Sequence, residues 1–232
     1  MNKCVINLVT PNAWYPNGQK RLINSLKKFG FDGDVLTWIG ENKIGAPSHA
    51  AVPYAFKPYA FMEAKKRGYD LIQWCDASFW AIKSIDKVFQ HLSEHGWVMQ
   101  RDGNSVGKFC SDAALDKLGI TRKEAMDISL FMAGGLGLNL KNEKASLFLD
   151  QWFEKANDGA SFVGSWTNEN LQVSKDPEVR GHRHDMAVGS VIAHKLGMDY
   201  LDEIFFSYFQ GYEKLANQPK RKNVCMVLQG GA

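Results

Sequence analysis

Short apolar runs alternate with stretches whose apolar residues recur every three or four positions, and that alternation predicts an α/β domain on a central, mostly parallel (mixed) sheet flanked by helices. Val5 to Val9 reads as a buried first strand. A turn-rich stretch (Pro11, Asn12, Pro16, Asn17, Gly18) leads to a helix with Leu22, Ile23, Leu26 and Phe29 on one face, stopped by Gly30. Val35 to Ile39 is the second strand. After a Gly/Pro-rich loop around Gly45 and Pro47, Pro58 is expected at the first position of a helix running to Arg67, where its missing N–H costs nothing. Gly68 stops that helix. Leu71 to Cys75 is the next strand, and it ends directly on Asp76.

Ser84 is expected to cap a helix that turns Ile85, Val88, Phe89 and Leu92 inward, and Trp97 to Gln100 returns as a strand. Ser111 to Asp127 is helical and polar, with Thr121 and Glu124 in capping-box spacing. Leu130 to Leu140 reads as one extended strand interrupted by glycines. Asn142 opens the clearest helix, whose Ala145, Phe148, Leu149, Trp152, Phe153 and Ala156 share a core-facing stripe. A loop from Asn157 to Gly181 precedes a last helix from Asp185 to Leu196. Residues 1–216 are thus expected to form one domain. Residues 217–232 begin with a polar linker, Asn217 to Lys222, and go on to Val224 to Leu228 and Gly230-Gly231. That tail is either the start of a following domain or a last edge strand of this one.

Composition narrows the function more than the fold. With 28 basic and 25 acidic residues the net charge is +3, which provides no basic stripe for nucleic acid. No apolar run approaches the ~20 residues of a membrane span, and Met1 to Thr10 lacks the layout of a secretory signal. Cys4, Cys75, Cys110 and Cys225 show no paired metal-ligand spacing, so reduced thiols in a cytoplasmic protein are expected.

Two clusters carry candidate chemistry. In Trp74-Cys75-Asp76-Ala77-Ser78 a carboxylate directly follows a buried strand, which places it at the sheet's carboxyl edge, where open α/β folds bind ligands. Asp76 and Ser78 are two residues apart and present oxygen ligands suited to Mg²⁺ or Mn²⁺ with substrate phosphates. The second cluster is Gly181-His182-Arg183-His184-Asp185 at the entry of the last helix. His182 or His184 is a candidate metal ligand, Arg183 a phosphate contact and Asp185 an acceptor contact, which makes Arg183 and Asp185 the candidate catalytic pair. Lys57, beside Pro58, is a candidate point charge for a diphosphate, and Gly134-Gly135 would allow close approach to the backbone. Trp14, Tyr15, Trp80 and Trp166 lie in loop positions where sugar faces stack.

Taken in order, Asn7-Leu8-Val9-Thr10, Lys57-Pro58, Gly68 to Ser78, Ala133-Gly134-Gly135 and His182 to Asp185 resemble the glycosyltransferases of the GT-A fold over the chain up to about Tyr212. More narrowly, the chain resembles the N-terminal domain of multidomain glycosyltransferases of large algal DNA viruses, which build glycans of the capsid protein. The resemblance implies a UDP-sugar donor met by Thr10, a glycan hydroxyl as acceptor, a hexose or deoxyhexose such as glucose or rhamnose as the transferred sugar, and Mn²⁺ or Mg²⁺ held by an Asp-X-Asp-like motif. Ser78 stands where that motif has its last aspartate, so Asp76 is expected to carry ligation directly or the ion to be held partly through water. No general base for inversion stands out, which leans the expectation to retention. Two other readings remain. A sugar-nucleotide nucleotidyltransferase would carry a Gly-rich basic loop where Pro11 to Tyr15 stands, and a non-catalytic carbohydrate-binding domain would typically be all-β.

Overall fold

In the computed structural model, which describes residues 1–228, β1 (Lys3–Val9) is followed by α1 (Tyr15–Lys28), β2 (Asp34–Ile39), α2 (Phe56–Lys66) and β3 (Leu71–Trp74). Next come β4 (Phe79–Ala81), α3 (Asp86–His95), β5 (Trp97–Val98), β6 (Arg101–Ser105), α4 (Asp112–Leu118) and α5 (Arg122–Met126). The chain continues through β7 (Ser129–Phe131), β8 (Gly137–Asn139), α6 (Glu143–Ala156), α7 (His184–Lys195), β9 (Ser207–Phe209), α8 (Glu213–Ala216) and β10 (Met226–Leu228). The main sheet runs β2-β1-β3-β8-β5, parallel between its first three strands and antiparallel where β8 meets β3 and β5.

The period-2 alternation of the strands sorts side chains into two cores. Cys4, Ile6, Leu8, Ile72 and Trp74 pack with α2, α6 and α7 on one face. Val5, Leu71 and Cys75 pack with Leu22 and Leu26 of α1 and with Val88, Phe89 and Leu92 of α3 on the other. The helix stops and caps fall where the sequence puts them. Gly30 and Gly68 adopt positive φ, the Thr121/Glu124 capping box is present, and Asn142 accepts from the Ala145 N–H. All four cysteines are buried free thiols.

Several expectations shift. Helix α2 starts two residues before Pro58, which remains tolerated because the first turn of a helix leaves its N–H groups without intrahelical partners. Ile85, not Ser84, is the cap residue of α3, although the Ser84 hydroxyl accepts from the Asp86 N–H at 3.2 Å. The expected single strand from Leu130 to Leu140 is two strands in different sheets: β7 pairs with β6, and β8 joins the main sheet. Residues 132–136 cross between them, with Gly134 and Gly135 passing against Phe79. Finally, Met226–Leu228 is neither an edge strand nor detached from the body. It lies between β4 (antiparallel) and β9 (parallel) in a three-stranded sheet and is buried. Gly230-Gly231 lies outside the described residues.

Candidate functional site

Because β1 and β3 are parallel neighbours, their carboxyl ends open on one edge of the sheet, and a cleft of about 630 Å³ lies there. Thr10 from the end of β1 and Asp76 and Ser78 from the end of β3 line it, so three of the sequence candidates meet in one place. Trp14 and Tyr15, whose ring centroids are 4.7 Å apart, form a lip. The strand ends are tied together from below. The buried Asn7 amide donates to the Cys75 carbonyl at 2.7 Å, and the Gln19 amide donates to Asn7 Oδ1 at 2.8 Å and to the Trp38 carbonyl at 3.1 Å. Gly18 of α1 lies so close to the Asp76 turn that a Cβ there would stand 2.4 Å from the Ala77 carbonyl oxygen.

Asp76 is divided between architecture and cleft. Its Oδ1 accepts the Trp74 indole N–H at 2.7 Å and faces the Lys57 ammonium at 3.3 Å. Its Oδ2 accepts no hydrogen bond from the described residues, and the side chain is 34% exposed. The Asp76 N–H donates to the Gly134 carbonyl at 2.8 Å, and a Cβ on Gly134 would stand 3.1 Å from Oδ2. The glycine therefore makes room for the carboxylate.

Lys57 does not face the cleft as a free point charge. Its side chain is 4% exposed and its ammonium donates to the Ala133 carbonyl at 3.0 Å and pairs with Asp185 Oδ2 at 2.9 Å as well as with Asp76. Burial alone would lower its pKa, but Asp185 and then Asp76 outweigh that and hold it above the ordinary lysine range. Asp185 is equally buried, and burial pushes its carboxyl up against the pull of Lys57.

The two histidines of the second cluster have different roles. His182 Nε2–H donates to the Ser161 carbonyl at 2.9 Å, and its Nδ1 accepts the Ser111 N–H at 3.2 Å. Both ring nitrogens are used, so His182 is a buried bridge between loops and not a metal ligand. His184 Nδ1–H donates to the Phe162 carbonyl at 3.0 Å, which leaves Nε2 with its lone pair, and that atom is buried without a partner among the described residues. Burial pushes both pKa values down, to about 3 for His182 and about 4 for His184. His184 adopts φ +33° and stacks at 5.7 Å on Tyr54, itself at φ +60°; positive φ at two touching non-glycine residues is strain of the kind that collects at functional sites. Arg183 lies outside the cleft lining, with its guanidinium between the Phe109 and Trp166 rings.

A further wall of the cleft, Glu41, Ser48, His49, Tyr54 and Phe56, comes from the segment expected as connecting loop and was not among the sequence candidates. Aromatic and ionisable residues clustered between two turn signals were the available clue. His49 is half-buried, stacks edge-on against Tyr54 at 4.6 Å and is tied by its backbone N–H to Glu41 at 3.0 Å. Trp80 belongs elsewhere, under the Arg21 guanidinium at 4.4 Å, and the Arg21 side chain also donates to the Ser78 carbonyl at 3.1 Å.

Among the described residues no group of three or more His, Cys, Asp and Glu side chains forms a ready metal cage. The cleft-lining residues Asp76 and Ser78 carry oxygen donors of the kind that suit a Mg²⁺-like ion that takes most of its shell from substrate phosphates and water.

No family model matches the sequence, and no curated protein matches it. Solved structures share the fold, which is GT-A: a mixed parallel and antiparallel central sheet flanked by helices. The chain is similar to the bifunctional glycosyltransferase WbbM (TM-score 0.57, 12% identity), covering 100% of this chain and 46% of that one, so it spans about half of WbbM's length. It is similar to mouse xyloside xylosyltransferase 1 (TM-score 0.56, 12% identity, 99% and 98% covered). A third similar structure is a glycosyltransferase involved in glycosylation of the major capsid of PBCV-1 (TM-score 0.53, 10% identity, 97% and 93% covered). No helix of the described residues is long and apolar enough to cross a membrane.

Proposed function

We propose that this chain is a metal-assisted glycosyltransferase that takes a nucleoside diphosphate sugar, with UDP as the nucleotide, into the cleft between the ends of β1 and β3 and transfers the sugar to a glycan hydroxyl. The observation that carries the reading is Asp76. One carboxylate oxygen is held by Trp74 and Lys57 while the other accepts no hydrogen bond from the described residues, and the side chain lines the cleft at the sheet edge where a diphosphate ligand belongs. The shared fold with WbbM, xyloside xylosyltransferase 1 and the capsid glycosyltransferase supports the reaction class, and the last of these supports a capsid-type glycan as acceptor.

Asp76 Oδ2, with Ser78, would hold Mn²⁺ or Mg²⁺, and the ion when bound neutralises charge developing on the leaving diphosphate. Trp14 and Tyr15 offer ring faces at the lip for the base, and Thr10 offers a hydroxyl to the ribose side. Lys57 acts indirectly, by fixing Asp76 Oδ1 so that Oδ2 is pre-set toward the ligand. Asp185 completes the charge balance of Lys57 from behind the cleft.

The test pairs turnover with binding. With a panel of UDP-sugars, release of UDP is expected only with Mn²⁺ or Mg²⁺, and UDP should raise the melting temperature. Asp76→Asn keeps the size and removes the charge, so it should cut turnover ~100-fold or more. Full turnover in excess chelator, or near-normal metal-dependent turnover in Asp76→Asn, overturns the reading.

A further inference from the structure

We propose that the acceptor of this enzyme is an acidic sugar, one bearing a carboxylate or phosphate, and that Arg183 with Arg180 reads its charge beside the exposed ring of Trp166. This rests on the glycosyltransferase reading above and adds the chemical class of the second substrate.

Arg183 is a cation without an acid. Its guanidinium lies 4.5 Å from the Trp166 centroid and 4.9 Å from the Phe109 centroid, and it forms no side-chain hydrogen bond or ion pair with any described residue. Arg67, Arg122 and Arg221 each pair with a carboxylate; Arg183, unlike the exposed Arg101, goes without one while half-buried. Arg180 stands 6.0 Å from the same Phe109 ring and likewise has no carboxylate within 4.0 Å among the described residues. Neither guanidinium has a carboxylate partner among the described residues, and an anionic group on a ligand would supply the missing counter-charge.

The arrangement is built and not a chance of side-chain packing. The Arg180 N–H donates to the Lys108 carbonyl and the Arg183 N–H to the Phe109 carbonyl, each at 2.9 Å, so both arginines are registered against the same short segment. Between them Gly181, at φ +153°, passes so close to Trp166 that a Cβ would stand 1.8 Å from its carbonyl oxygen, and His182 is pinned through both ring nitrogens. The pair is therefore held where it is without using either guanidinium.

Position selects the acceptor over the donor. Trp166 is 43% exposed, and its ring lies 5.5 Å from Tyr54, which lines the cleft; Arg183 lies beyond Trp166 and outside the lining. A sugar resting on Trp166 would have one side at the cleft wall and the other at the guanidinium groups. Stacking of a sugar face on the indole and bidentate pairing of its acid with arginine use both groups at once.

The experiment titrates the full chain with methyl glucuronide, glucose 6-phosphate and methyl glucoside, with UDP titrated separately. At least one acidic sugar is expected to bind ~10-fold or more tighter than the neutral glucoside. The two acidic arms distinguish carboxylate from phosphate. Arg183→Gln should abolish the preference and Arg183→Lys should keep part of it; Arg180→Gln, on an exposed residue, should weaken it without risk to folding. Equal binding of all three sugars overturns the proposal, as does a preference that survives in the Arg183→Gln, Arg180→Gln double variant. A loss of UDP affinity in Arg183→Gln, with the acidic preference unchanged, would make Arg183 a donor contact and also overturns it. If UDP fails to bind the wild-type chain while the acidic sugars bind, the donor reading falls and the acidic subsite stands.

Discussion

Two cations near Tyr54, one against its ring and one a ring further out, are treated in opposite ways. Lys57 lies 5.2 Å from that ring, buried, and is matched by Asp76 and Asp185 together with the Ala133 carbonyl. Arg183 lies over Trp166, whose ring neighbours Tyr54, half-buried between two aromatic rings and with no acid among the described residues. A buried ammonium must be compensated within the protein, because no water reaches it. A guanidinium stacked at a surface is stable without a partner and is left available to a ligand. The difference separates a charge that builds the site from one that reads what enters it.

The comparison breaks most easily at Lys57. Lys57→Met removes the cation and strands Asp185 in the interior, a change of the kind that costs about 3–5 kcal/mol. For a chain of this size the melting temperature should fall by roughly 10 °C. A fall of only a degree or two would show that the two carboxylates do not need the lysine, and the pairing would lose its structural meaning.

Acid should act next, through the histidines on the Arg183 side. His182 and His184 are held neutral by burial, with pKa values near 3 and 4 against an ordinary 6.5. Below pH 6.5 the unfolded chain takes up protons that the folded chain refuses. Their contribution is therefore intact above about pH 6.5 and is lost as pH falls toward 4, at about 1.4 kcal/mol per pH unit for each histidine. Urea unfolding at pH 7, 6 and 5 should show that slope, and His182→Gln should remove about half of it. A stability flat from pH 7 to 5 would mean that these rings open to water readily.

The smallest effect is expected at Arg183. Arg183→Gln loses two cation–π contacts and strands nothing, so stability should change by about 1 kcal/mol, read as a few degrees in melting temperature. If the loss instead equalled that of Lys57→Met, Arg183 would be part of the scaffold and the contrast between the two cations would be gone.

Much of the frame was legible along the chain. The first and third strands are apolar runs whose alternation continues through both cores, and a polar residue placed straight after such a run lies at the sheet edge, which is how Asp76 and Ser78 could be read as edge residues; Thr10 came from the family resemblance, and the fold brings all three to one cleft. Helix stops at Gly30 and Gly68 and the cap at Asn142 were equally local. Local pattern reports which way a residue faces and where an element ends, and nothing more. Residues 57, 76 and 185 are far apart in sequence, so only the packed structure could turn Lys57 from a phosphate contact into the shared counter-ion of two aspartates. His182 and His184 are two residues apart and chemically identical; the loop carbonyls and N–H groups folded against them saturate one ring and leave Nε2 of the other without a partner among the described residues. The split of Leu130 to Leu140 and the insertion of Met226–Leu228 between β4 and β9 were decided in the same way, by pairing partners that come from elsewhere in the chain. Sequence determined the orientation of side chains because that depends on neighbours a few residues away, and tertiary structure decided their partners because those are brought in from a distance.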